Sequence, residues 1–179
     1  MSNDITIRQI RIQDEIPLLN SLYWGEYEKG TLGGVLPPMS EKEIVDNKYY
    51  FIQKKEQIIG AFAFLSFPAL PIQFTDQPHF MRLILKEEFR GKKIFRKVHE
   101  LALIEAKKLG YTAIYTRINP SNSQMLWVIQ KYGWEKIADD SVDSSQLDKK
   151  QMYKRVLSLI LEKSGKEQVY EDIIFKKEL

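Results

Sequence analysis

The sequence contains no cysteine. That absence excludes disulfides, thiolate nucleophiles and cysteine-based zinc sites, and it accords with a reducing, cytoplasmic setting. Histidine is almost as scarce, with only His79 and His99, and no metal centre is expected. No apolar run approaches the length of a membrane span. The opening residues, "MSNDITIRQIRIQDE", are polar and acidic too early for a signal peptide. Neither sign of charge is in large excess. The 27 Lys and Arg against 24 Asp and Glu leave +3, too little for a general nucleic-acid coat. The glycine-rich phosphate motifs are missing too. There is no GxxxxGK[ST] spacing, and the further glycines of a dinucleotide fingerprint are absent. Nor is there an internal repeat, a low-complexity tract or a linker. The 179 residues suit one domain with a sizeable core.

What is present reads as alternating strands and helices. Alternation over 5–10 predicts a strand. Asp14 is placed to cap a helix whose apolar face is Leu18, Leu19, Leu22 and Tyr23, with Pro17 tolerated in its first turn. The stretch 30–38 is a loop by its Gly and Pro content, and Ser40 with Glu43 forms a capping box before a short second helix. The runs 49–53 and 57–67 flank a polar turn and predict an antiparallel hairpin. The segment 68–78 carries three prolines and reads as a loop. A strand (79–86), a helix (94–109, closed by Gly110), a strand (111–118) and a second helix (123–132, stopped by Gly133) follow. "WEKIAD" and 151–157 read as closing strands, and the remaining residues to 179 fit helix and strand equally. The strand–helix–strand unit from 79 to 118 is a right-handed crossover, so its two strands are expected to be parallel.

The most informative stretch is "FRGKKIFRK" (89–97), which joins the strand to the helix. A helix start leaves backbone N–H groups without partners, and its dipole favours an anion. Gly91 permits positive φ and close approach to a ligand. Arg90, Lys92, Lys93, Arg96 and Lys97 place five positive charges in eight residues. Basic residues at a helix N-terminus oppose the dipole by a few tenths of a kcal/mol each. An anionic ligand explains the arrangement, and a solvated basic face is the plain alternative.

The residues from "LILKEEFRGKKIFRK" through "INPSNSQMLWVIQKYGWEKI" resemble the core of the GNAT superfamily of N-acetyltransferases. Arg90 holds the place of the family's Arg/Gln, Asn122 that of its Asn after the fifth strand, and Gly133-Trp134 replaces its Gly-Phe. Residues 80–137 carry the resemblance, and the N-terminal strand and helix fit it. The resemblance implies one α/β domain with a mostly antiparallel sheet of about seven strands, parallel at strands four and five. It assigns 1–157 to that domain and 158–179 to a C-terminal extension, docked or mobile.

The resemblance further implies that acetyl-CoA is the cosubstrate and that a primary amine, on a small molecule or a protein, is the acceptor. No metal, membrane or nucleic acid is expected, and a homodimer stays open. Leu83 and Leu85 would bind the pantetheine. Arg90, Gly91, Lys92, Lys93, Ile94, Phe95, Arg96 and Asn122 would hold the rest of the cosubstrate. His79 would serve as base and Tyr132 as the acid for the leaving thiolate. Trp24, Glu26 and Tyr27 would form an acidic and aromatic acceptor edge. Three residues depart from the family pattern. Lys93 and Phe95 stand at its two loop glycines, and Ile129 stands where many members carry a Tyr. Lys93 can be accommodated there with its N–H still directed inward, whereas Phe95 and Ile129 keep a non-catalytic GNAT-fold module as the alternative.

Overall fold

The computed structural model describes residues 4–28, 41–65, 78–91, 93–118, 122–139 and 173–179, without the side chains of Gln13, Tyr27, Ala138 and Asp139. The elements, in chain order, are β1 (Ile5–Gln9), α1 (Ile12–Glu28), α2 (Glu41–Asp46), β2 (Lys48–Lys54), β3 (Gln57–Leu65) and β4 (His79–Leu85). After a 3-10 turn (Glu87–Phe89) come α3 (Ile94–Lys108), β5 (Ala113–Ile118), α4 (Ser123–Lys131), β6 (Glu135–Asp139) and β7 (Ile173–Glu178). The seven strands form one mixed sheet in the order β1-β2-β3-β4-β5-β7-β6, with β4 and β5 parallel, as the crossover requires. The chain packs as two compact units. One contains β1 to α3 and the first residues of β5, and the other contains the rest of β5 with α4, β6 and β7.

In the first unit β1 to β4 pair antiparallel. Tyr49, Tyr50, Phe51 and Ile52 are all buried, so both faces of β2 are covered. Neighbouring strand residues point to opposite faces. The Tyr49 hydroxyl donates to Glu43 of α2, and the Tyr50 hydroxyl to Glu105 of α3. Helices therefore lie on both sides of the sheet. On the α3 side an aromatic layer of Tyr50, Phe62, Phe64 and Phe80 fills the core, with Tyr50 stacked on Phe62 at 5.1 Å between ring centres. The buried face of α3 is Ile94, Val98, His99, Ala102 and Ala106. At its end Gly110 N–H bonds Lys107 O and Tyr111 N–H bonds Ala106 O, a Schellman closure.

The start of α1 differs from the sequence expectation. The helix opens at Ile12, so Asp14 lies inside the first turn. The reaching-back carboxylate is that of Glu15, which accepts from Arg11 N–H at 2.8 Å and takes a bidentate pair from Arg8. Two arginine partners outweigh what Asp14 could gain as a cap.

In the second unit β6 pairs antiparallel with β7. The C-terminal segment thus supplies a strand, with Ile174 and Phe175 buried. The segment 151–157, Ser40 and the stretches 30–38 and 68–77 lie outside the described residues.

Candidate active site

The site in the first unit is built around the end of β4. Ala61 pairs with Ile84, but Ala63 pairs with Met81, so β4 holds one residue more than β3 between these points. Arg82 takes φ of 55° at this bulge. A bulge turns the strand and removes a residue from the ladder. Here the Arg82 carbonyl accepts from the Tyr23 hydroxyl of α1, and the Arg82 guanidinium meets Glu43 at 2.5 Å. Burial drives the Tyr23 hydroxyl well above its ordinary pKa, so it stays a donor. The bulge is the feature that the sequence reading missed. Its one available signal was an arginine inside the apolar run "MRLIL". Leu83 shares the bulge with Arg82, and Leu85 lies beyond it, both half-buried.

The loop that leads from the 3-10 turn into α3 is held by its first residue. Arg90 Nε donates to Leu85 O at 2.8 Å, and its Nη2 is paired with Glu26 of α1. Glu26 is only 3% exposed. The Arg90 side chain therefore faces back toward the strand and α1. Gly91 then takes φ of 70° and Lys93 φ of 59°, and Lys93 is the N-cap of α3. A left-handed residue followed by the helical Ile94 turns successive backbone N–H groups into one concavity, the geometry that receives anions. Among the described residues, nothing lies within 4 Å of where a Cβ on residue 91 would stand.

The remaining basic residues divide. Arg96 is exposed and pairs with Glu100 at 3.0 Å, and Lys97 lies 3.9 Å from the same carboxylate. These two form a solvated helix face. Lys92 lies outside the described residues. Phe95 is half-buried and stacks on the buried His99, ring centres 5.9 Å apart at 17°. Its bulk is thus taken up along the flank of α3.

His79 is fully buried, with Leu65 opposite it in β3. Trp24 is 45% exposed, whereas Glu26, two residues on, is buried against Arg90. The Tyr27 side chain lies outside the description. Beside Glu26 a cavity of about 360 Å³ opens between α1 and the strand ends, lined by Leu18, Ser21, Leu22, Ile58, Lys86 and Glu88 among others. In the second unit Asn122 caps α4, its Oδ1 accepting from Met125 N–H at 3.1 Å. Tyr132 is the half-buried C-cap of the same helix, and Ile129 is buried. Among the described residues no three or more His, Asp or Glu side chains gather to hold a metal ion, and no helix is long and apolar enough to cross a membrane.

No protein-family model matches the sequence, and no curated protein matches it either. Solved structures do match it. A GNAT family acetyltransferase from Elizabethkingia anophelis with acetyl-CoA bound is 16% identical, with a TM-score of 0.63 over 99% of this chain and 100% of that one. An acetyltransferase from Bacillus subtilis in complex with CoA is also 16% identical, with a TM-score of 0.60 over 98% and 99%. The chain has the GNAT acetyltransferase fold. N-acetylglutamate synthase from Neisseria gonorrhoeae, complexed with coenzyme A and N-acetyl-glutamate, is 14% identical. It gives a TM-score of 0.63 over the whole of this chain and 36% of its own. The loop at Gly91 and the helix after it were the most legible part of the sequence, and the bulge was not.

Proposed function

We propose that the protein is an N-acetyltransferase that transfers the acetyl group of acetyl-CoA to a primary amine in a ternary complex. The observation that carries this is the β4–α3 junction, a bulged strand running into a loop with left-handed residues at Gly91 and Lys93. That geometry suits a pyrophosphate at the loop amides and a pantetheine along Leu83 and Leu85. The bound acetyl-CoA and CoA of the structurally similar acetyltransferases support the same ligand here.

On this reading the loop amides of Gly91 to Phe95, with Lys92 and Lys93, hold the pyrophosphate, and Arg96 and Asn122 hold outlying parts of the cosubstrate. The deprotonated amine attacks the thioester carbonyl. A C–N bond forms, the C–S bond breaks, and CoA leaves as a thiolate that takes a proton. Tyr132 supplies that proton. His79 is sealed from solvent, so it receives the amine's proton only through an intervening chain of donors. Trp24 and Tyr27 border the acceptor. The reading takes the acceptor to be a small-molecule or protein amine and includes a cytoplasmic location. An amine on a carboxylate-bearing molecule has a precedent in the synthase bound to N-acetyl-glutamate.

A non-catalytic GNAT-fold module is the second reading. It is favoured by Phe95 at the second small-residue place of the loop and by the buried Ile129. Titration calorimetry with acetyl-CoA and CoA separates the two. Micromolar binding is expected, followed by thiol release with a panel of primary amines. The chain contributes no thiol background, since it has no cysteine. Failure to bind at millimolar ligand would leave the module.

A further inference from the structure

Tyr23 and Glu26 stand three residues apart on α1, so both project from one face. Their tips reach two separated points of the β4–α3 segment. The Tyr23 hydroxyl holds the Arg82 carbonyl at the bulge, and the Glu26 carboxylate holds Arg90 at the loop. Arg90 also binds back to Leu85 O, so the span from bulge to loop is pinned at its two ends and in the middle. Neither anchor is a surface contact. Tyr23 is 1% and Glu26 3% exposed. A bulge leaves its extra residue without a ladder partner, and a buried polar group left unmade is costly. Tyr23 thus satisfies a carbonyl at the bulge, and Glu26 neutralises the guanidinium that Arg90 turns back toward the strand.

We infer that α1 is a clamp that sets the cosubstrate track from outside it: Tyr23 and Glu26 are positioning residues, Tyr23 for the bulge and Glu26, through Arg90, for the anion loop. The kinetic half of this inference rests on the acetyl-CoA reading, and the structural half does not. The two anchors act at different ends of the ligand. Loosening the bulge disturbs the strand backbone beside the thioester, whereas loosening the loop disturbs only the phosphate end.

The test uses the full chain with Tyr23→Phe and Glu26→Gln, both nearly isosteric. Hydrogen exchange of backbone amides is followed by peptide mapping. Tyr23→Phe is expected to speed exchange about fivefold around Arg82 and Leu83 and to leave Gly91 to Phe95 unchanged. Glu26→Gln is expected to do the reverse. In the second arm, Glu26→Gln raises Kd for CoA about tenfold. It weakens the use of S-acetylpantetheine, which has no pyrophosphate, far less than the use of acetyl-CoA. Tyr23→Phe lowers kcat about fivefold with either thioester and leaves the Kd for CoA unchanged. Exchange that rises evenly over the first unit, or in neither segment, overturns the clamp. So does a Glu26→Gln protein that loses both thioesters equally. If the wild-type protein binds no CoA, the acetyltransferase reading falls, and the exchange pattern alone decides the clamp.

Discussion

Gly60 of β3 lies so close to Ile84 of β4 that a Cβ on residue 60 would stand 2.2 Å from the Ile84 carbonyl oxygen. A flexible side chain could move aside, but this neighbour is backbone, so the strand itself would have to shift. Ile59, the next residue back, is the extra residue of a bulge in β3, and its carbonyl accepts from Lys86 N–H at 2.9 Å. The glycine therefore sets how closely β3 approaches the end of β4, where the anion loop begins. Gly60→Ala is expected to destabilise the fold by about 1–3 kcal/mol, the range for overpacking a filled interior. Urea unfolding checks this, and an unchanged midpoint would mean that the two strands do not meet as described.

Glu15 accepts from Arg8 twice and from Arg11 twice. The hydrogen bonds from Arg8 are the main cause that lowers its carboxyl from 4.5 to about 2, against the opposing effect of burial. The folded value lies below the unfolded one, so this site stabilises the fold fully above about pH 4.5. The contribution fades as pH falls toward 2. Glu15→Gln is expected to cost about 1.5–3 kcal/mol at pH 7. The gap in Tm between variant and wild type should then narrow steadily below pH 4.5. A gap that stays constant down to pH 2.5 would show that the carboxylate gains nothing from its arginines.

The parts of the fold that were legible in the sequence are those fixed by neighbours in the chain. Gly110 and Gly133 end their helices by bonds to carbonyls three residues back, and the residue after each bonds five back, so the stops could be read directly. The strand, basic loop and helix from 79 to 108 were legible for the same reason, as a change of apolar period around one glycine. What was not legible depends on distant partners. The bulge at Arg82 exists only in the register with Ala61 and Ala63. Glu26 looked like part of an exposed acidic edge, because nothing near it in the chain shows an arginine 64 residues away. Residues 173–178 fitted helix and strand equally until β6 was there to pair with them. Asp14 suited a helix start, and two arginines on one side gave that place to Glu15 instead.

Lys93 is an N-cap residue without a side-chain cap bond, and it holds φ of 59°. A residue with a Cβ in that region is strained by roughly 1–2 kcal/mol, which glycine does not incur. Glycine gives back part of that gain through its looser unfolded chain. Lys93→Gly is therefore expected to stabilise the fold, by about 0.5–1 kcal/mol. Thermal unfolding would show it as a raised Tm. A lowered Tm would mean that residue 93 does not adopt the left-handed conformation, and the concavity assigned to the loop would go with it.

Phe95 stands where the loop pattern has a small residue, and its ring lies on His99 one turn along α3. Two consequences follow from that stacking. The ring contributes packing, so Phe95→Ala should cost stability, by about 1–3 kcal/mol for a half-buried aromatic that leaves its partner uncovered. The ring is also directed along the helix flank, so its removal should leave CoA affinity within about twofold, well under the tenfold that 1.4 kcal/mol represents. Stability and CoA binding are measured on the same variant, because their combination is diagnostic. Lost stability with unchanged affinity places the side chain in the fold. Unchanged stability with tighter CoA binding would place the ring over the loop, where it would obstruct the phosphate, and would shift the balance to the non-catalytic module.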